Sequence, residues 1–255
     1  MLLAADIGNT EVTLGVFKDD ESKSTWHIAT VINRSVDEYA SLILSLLANR
    51  GIKTSAVTEV VLCSVVPPLT ITFKDVFKQY FQTSPLVVNA GVKTGVRLCM
   101  DNPHEVGSDR VVDAAAAHHL YGGPVIIVDL GTATTFDVVS ANGDYMGGAI
   151  APGMAAAAEA MFHKAAMLPR VELIRPESVI GTNTIDAMKS GIVFGYVGLV
   201  EGMVARIQRE LGSRSRVVAT GGMARLIAGA TKVIDEVNPD LTLIGLKLIY
   251  EMNHA

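Results

Sequence analysis

The hydrophobic pattern of this chain runs through the same series of periods twice. Leu2 to Ile7, Glu11 to Phe17 and Ser24 to Val31 are short apolar or alternating runs, the pattern of three successive strands, with turns at Gly8-Asn9 and from Lys18 to Lys23. From Asp37 to Asn49 the period lengthens: Tyr39, Leu42, Ile43, Leu46 and Leu47 recur at helical spacing, and Gly51 supplies a stop. Glu59 to Ser64 is again a strand, ended by Pro67-Pro68. Leu69 to Phe81 is helical, and Pro85 to Val88 is a short strand.

The second half repeats that order. Val125 to Leu130, Thr135 to Ser140 and Tyr145 to Ile150 are three strands, the last two joined by a hairpin turn at Asn142-Gly143. Helices follow at Met154 to His163 and Thr184 to Leu211, then a strand at Val217 to Thr220 and a helix near Asp240 to Met252. A helix running to His119 closes the first half. The pattern predicts an α/β chain of two domains, 1-121 and 122-255, hinged at Gly122-Gly123-Pro124.

One motif is written in both halves. Leu3-Ala4-Ala5-Asp6-Ile7-Gly8-Asn9-Thr10 and Ile127-Val128-Asp129-Leu130-Gly131-Thr132-Ala133-Thr134-Thr135 are each an apolar run that stops at an aspartate, turns through a glycine and continues with small hydroxyl or amide residues. Such a turn lets backbone N–H groups approach phosphate oxygens, while the aspartate can hold Mg2+ directly or through water. Taken alone, Asp6 to Thr10 equally fits a plain hairpin. Its recurrence favours a cleft between two related domains that holds a polyphosphate and its metal.

Composition narrows the function classes. With 255 residues, 49% hydrophobic and 18% charged, the chain can bury a sizeable core. A net charge of -5 argues against a broad electrostatic grip on nucleic acid. Cys63 and Cys99 lack metal-ligand spacing and read as core fillers, and the six histidines read as surface or satisfied groups. The first residues reach Asp6 without a basic leader, and no uncharged stretch of about 18 residues follows, so a cytoplasmic protein with no membrane partner is expected.

Three further segments could carry chemistry. Asp101 to Arg110 places Asp109 beside Arg110 just after Gly107, in the first turn of a helix. Two readings stand level there. Either Asp109 accepts a proton from a substrate hydroxyl while Arg110 grips an anion, or Glu105 and Asp109 complement the helix dipole and Arg110 forms a surface ion pair. Gly147-Gly148-Ala149-Ile150-Ala151-Pro152-Gly153 and Thr220-Gly221-Gly222-Met223 allow close backbone approach to a ligand or to another element, and neither is a P-loop.

Taken in order, Asp6-x-Gly8-Asn9-Thr10, Asn102-Pro103 with Gly107-x-Asp109-Arg110, Asp129-x-Gly131-Thr132-Ala133-Thr134-Thr135, Gly147-Gly148-x-Ile150-x-Pro152-Gly153 and Thr220-Gly221-Gly222 resemble the type III pantothenate kinases over nearly the whole chain. The resemblance implies duplicated actin-like (ribonuclease H-like) domains, each a mixed five-stranded sheet flanked by helices, with the active-site cleft between them. It implies a homodimer that uses ATP with Mg2+ and a monovalent cation, K+ or NH4+, to phosphorylate pantothenate at the start of coenzyme A synthesis.

Carried over by position, Asp6, Ile7, Gly8, Asn9, Thr10, Glu11, Val12 and Thr13 resemble the first phosphate loop, Asp6 also a metal ligand, and Thr132 a second ATP contact. Asp129 resembles the monovalent-cation ligand, Asp109 the general base, and Met100, Gly107, Ser108, Asp109, Arg110 and Thr184 the pantothenate contacts. Two positions depart from the family. Met100 stands where a tyrosine is expected, and Glu11 adds negative charge near the phosphates. Two other functions on the same fold remain, a weakly active paralogue assisting transcription and a phosphohydrolase.

Overall fold

A computed structural model describes residues 1–19 and 21–254. Cα packing divides the chain into two units, Met1–Val96 with Asp101–Ala116 and Leu241–Ala255, and Arg97–Met100 with Ala117–Asp240. The sequence placed its single break after residue 121. The last helix instead belongs with the first unit.

The first unit is built on β1 (Leu2–Ile7), β2 (Glu11–Lys18), β3 (Glu21–Ala29), β4 (Glu59–Ser64) and β5 (Leu86–Val87), in the order β3-β2-β1-β4-β5. Asp20, within the turn expected from Lys18 to Lys23, lies outside the described residues. Central β1 runs antiparallel to β2 and parallel to β4, with helices on both faces. Because side chains alternate along a strand, Leu3, Ala5 and Ile7 enter one core with Tyr39, Ile43, Phe73 and Phe77 of α1 (Val36–Asn49) and α2 (Pro67–Tyr80). Leu2 and Ala4 face the other way, into a core with Val112 and Ala115 of α3 (Ser108–Tyr121) and Leu243, Leu246 and Ile249 of α7 (Leu241–His254). Asp6 shares that second face.

Local chemistry sets the helix starts. The Ser35 hydroxyl accepts from the Glu38 N–H, and the Glu38 carboxylate accepts from the Ser35 N–H at 2.8 Å, a reciprocal cap that starts α1. The pair Pro67-Pro68, read from sequence as a strand stop, also opens α2, since a proline at the first helical position has no N–H to leave orphaned. In α7, a Cβ on Gly245 would collide with the Val112 carbonyl. Glycine there lets α7 press against the α3 backbone, which is why α7 packs with the first unit.

The second unit holds β6 (Arg97–Leu98), β7 (Val125–Leu130), β8 (Ala133–Val139), β9 (Asp144–Pro152), β10 (Arg216–Thr220) and β11 (Glu236–Val237). Their order is β11-β10-β7-β8-β9-β6, six strands where five were expected. The sixth is β6, two residues that pair in parallel with the start of β9. Just beyond it, Cys99 is exposed rather than a core filler, while Cys63 on central β4 is buried as expected.

Ile126, Val128, Leu130 and Phe136 pack under α4 (Met154–Lys164), α5 (Thr184–Leu211) and α6 (Ala224–Ala228), leaving Asp129 on the opposite face. By length and composition α5 could cross a membrane, but its Ile192, Val193, Tyr196, Val197 and Val200 lie in this core. That is the position of a core helix.

The two units repeat a register. In the first, Asp6 lies opposite Thr13 of β2 and beside Cys63 of β4. In the second, Asp129 lies opposite Thr135 of β8 and beside Thr220 of β10. The duplicated motif is thus a duplicated strand end, with one antiparallel and one parallel neighbour each time.

Candidate active site

In the first unit the site grows from the end of β1. The Gly8 N–H donates to the Glu11 carbonyl at 3.0 Å and the Thr30 hydroxyl donates to the Gly8 carbonyl at 2.7 Å, closing the turn and leaving Asn9 and Thr10 exposed at its tip. Ile7 and Val12 are fully buried in the α1/α2 core, so only their backbone is available to a ligand. Glu11 turns to the rim, where its carboxylate pairs with His27 at 2.9 Å and the Thr13 hydroxyl lies 3.3 Å from the same ring nitrogen.

Behind the turn, the Cys63 thiol donates to Asp6 at 3.2 Å. Burial pushes the Asp6 carboxyl up to about 7, and the negative charges of Asp109 and Glu11 add to that shift against the opposing thiol hydrogen bond. Burial, with Asp6 and Asp109 beside it, also pushes the Cys63 thiol well above its usual range.

Asp109 is brought there by the start of α3. Ser108 anchors that start to the end of β4: its hydroxyl accepts from the Ser64 N–H and donates to the Ser64 carbonyl, both at 3.2 Å. The Asp109 carboxylate accepts from the Arg110 N–H at 2.8 Å, and a Cβ on Gly107 would sit 2.5 Å from it. Gly107, Ser108, Asp109 and Arg110 therefore form one compact helix start, with Asp109 in electrostatic reach of Asp6.

The second unit builds a cradle from glycines. The Gly131 N–H donates to the Ala133 carbonyl at 3.0 Å, which exposes Thr132 at the turn. A Cβ on Gly153 would meet the Gly131 carbonyl at 2.6 Å, and one on Gly221 would collide with the Asp129 carboxylate and with Leu130 at 2.7 Å. Gly221 also has φ +87, a conformation that favours glycine. The glycine segments marked in the sequence as points of close backbone approach thus meet around Asp129 and Thr132. Met100 lies against Gly147 of β9, and Thr184 is exposed at the head of α5.

The sequence reading missed one polar group of this unit. Thr135 and Asp137 are buried on one face of β8, with Tyr145 hydrogen-bonded to Asp137. Two polar residues at alternate positions of an otherwise apolar strand were the available signal.

Among the described residues no group of three His, Cys, Asp or Glu side chains could hold a metal. A cation here would find single carboxylates and oxygen donors, which suits a hard ion that takes most of its ligands from phosphate and water. A cavity of about 580 Å3 lined by Met1, Phe17, Lys18, Glu59 and Tyr250 lies at the opposite end of β1 from Asp6 and forms no part of this arrangement.

Residues 2–206 match the sequence model of the type III pantothenate kinases. The chain belongs to the type III pantothenate kinase family. A family member from Dehalococcoides mccartyi strain 195 is 58% identical over 254 residues, covering 100% of this chain and 98% of its own. Another from Roseiflexus strain RS-1 is 51% identical, with both chains covered fully.

Among solved structures, one described as a candidate Baf family transcriptional activator from Campylobacter jejuni has a TM-score of 0.63 at 20% identity, covering 99% of this chain and 98% of its own. The ROK hexokinase of Thermus thermophilus has 0.53 at 13%, covering 100% and 99%. At such identities these two establish the fold alone, an α/β architecture of duplicated actin-like domains.

Proposed function

We propose that this chain transfers the γ-phosphoryl group of ATP to the terminal hydroxyl of pantothenate, giving 4'-phosphopantothenate, the first step of coenzyme A biosynthesis. The observation that carries this reading is Asp109, fixed at the start of α3 in electrostatic reach of the Asp6 phosphate-loop carboxylate. Phosphoryl transfer passes through a loose transition state, so catalysis rests on alignment and charge neutralisation. Asp109 orients the pantothenate hydroxyl and takes its proton as the bond to phosphorus forms, while Arg110 holds the pantothenate carboxylate. Gly107 and Ser108, with Met100 and Thr184, complete the acceptor contacts.

The exposed turns at Asn9-Thr10 and Thr132 present backbone amides to the phosphates. Asp6 would hold Mg2+, and Asp129 a monovalent cation, K+ or NH4+; once bound, these ions would neutralise charge on the phosphoryl oxygens. The working form is a homodimer. Exposed apolar side chains concentrate between residues 146 and 185, with Met167 92% and Ile180 80% exposed. Gly191, Gly195 and Gly198 line the outer side of α5, where an added Cβ meets nothing and a second helix could approach closely. We place the enzyme in the cytoplasm, with its ATP supply, and assign it no nucleic-acid or membrane partner.

A coupled ADP-release assay tests the reading. ADP is expected only with pantothenate present. Release without acceptor would indicate a phosphohydrolase, and no release under any condition would favour the paralogue that assists transcription.

A further inference from the structure

The second unit holds a buried acid for which phosphoryl transfer, as set out above, has no task. Asp137 of β8 is 1% exposed. One of its carboxylate oxygens accepts from the Thr135 hydroxyl at 2.8 Å and the other from the Tyr145 hydroxyl at 2.5 Å. A carboxylate has no hydrogen to give, so both hydroxyls must act as donors.

That has a consequence for Thr135. A hydroxyl carries one hydrogen, and Thr135 commits its own to Asp137, so its oxygen offers only lone pairs to any other neighbour. Thr135 lies directly opposite Asp129 in the antiparallel β7–β8 pair, so the two side chains share one face of the sheet. Asp137 lies opposite Ile127, two positions along that face. The β-branched Thr135 side chain is stiff about its first torsion, which preserves this direction. On its other side the Asp129 carboxylate has Gly221 packed directly against it.

We propose that Asp137 is a positioning residue for the monovalent cation of the second unit: by taking the Thr135 hydrogen it turns the Thr135 oxygen into an acceptor that shares the ion with the Asp129 carboxylate. This rests on the reading that Asp129 holds such an ion. In Asp137→Asn the side-chain amide can donate to Thr135 instead. The hydroxyl hydrogen is then released toward Asp129, opposing a cation.

The test measures K+ binding in the full-length protein by the rise in Tm on adding KCl, with choline chloride at equal ionic strength as control, beside the K+ dependence of ADP release. Asp137→Asn and Thr135→Val are each expected to raise the half-saturating K+ concentration about 10-fold or more, as loss of an outer-shell partner does in metal sites. The double variant is expected to be no weaker than the worse single one, because both changes disable the same oxygen. Thr135→Ser, which keeps the hydroxyl, should bind K+ as the parent does. Ser215→Ala, which removes another buried hydroxyl, at the far end of β10, controls for loss of a buried oxygen as such.

Parental K+ binding in folded Asp137→Asn, or in Thr135→Val, overturns the proposal. If Asp137→Asn does not fold, the Thr135→Val and Thr135→Ser pair decides it. A parent protein whose Tm and turnover ignore K+ would instead sink the assignment of the cation to Asp129.

Discussion

Cys63 donates its thiol hydrogen to Asp6 at 3.2 Å across the parallel β1–β4 pair, at the point where the strand leaves the sheet for the Gly8-Asn9 turn. The thiol opposes the burial that lifts the Asp6 carboxyl to about 7. A carboxyl raised in the folded state stabilises the cation-free protein below its unfolded value of 3.8, and that contribution is lost as pH rises towards 7. The loss amounts to at most about 4 kcal/mol, at about 1.36 kcal/mol for each pH unit between 3.8 and 7, and levels off above that pH. Melting curves of cation-free Asp6→Asn should lack this descent and lie above the parent at pH 8. Cys63→Val, which removes the donor, should move the descent to higher pH. If the parent and Asp6→Asn melt in parallel from pH 4 to 8, Asp6 is not held in this way.

Asp109→Asn keeps the shape of the helix start and removes the proposed proton acceptor. Turnover is expected to fall by about 100-fold or more. ATP affinity, read by nucleotide titration, should change by less than about twofold, because the role proposed for Asp109 is on the acceptor hydroxyl. Near-parental turnover would remove Asp109 from the chemistry.

Gly221→Ala should be among the most damaging single-methyl changes in the second unit. Its Cβ would collide with Asp129 and Leu130, and its φ of +87 strains any other residue. A stability loss of about 2 kcal/mol or more is expected by chemical denaturation, together with weaker nucleotide binding. A variant as stable as the parent would mean that the Asp129 cradle is looser than described.

Gly195→Leu separates packing within one chain from packing between two. The position is helical, exposed and open, so in a monomer the change should stabilise α5 by up to about 1 kcal/mol. In a dimer joined along α5 the same side chain would hold the helices apart. Sedimentation should then show a parental dimer and a monomeric variant. A monomeric parent, or a variant that remains dimeric, would remove α5 from the interface.

The strand ends of this fold were legible because the physics there is local. An apolar run, an aspartate and a glycine turn marked the ends of β1 and β7 without reference to the rest of the chain. What escaped depends on distant partners. β6 is a strand only because β9 offers an edge, and α7 joins the first unit only because Gly245 admits the Val112 backbone. The glycines of the cradle were singled out as points of close backbone approach, but not their convergence on Asp129 and Thr132, since Gly131, Gly153 and Gly221 are separated in sequence and meet through close contacts that no local period encodes. Glu11, a worry when read beside the turn, pairs with His27 of the neighbouring strand.

The most direct measurement is ADP release by the purified full-length protein with ATP and Mg2+, with and without pantothenate. The account expects release that requires pantothenate and yields one 4'-phosphopantothenate per ADP, identified by mass. Release at the same rate without pantothenate, or ADP with no phosphorylated pantothenate, would contradict it.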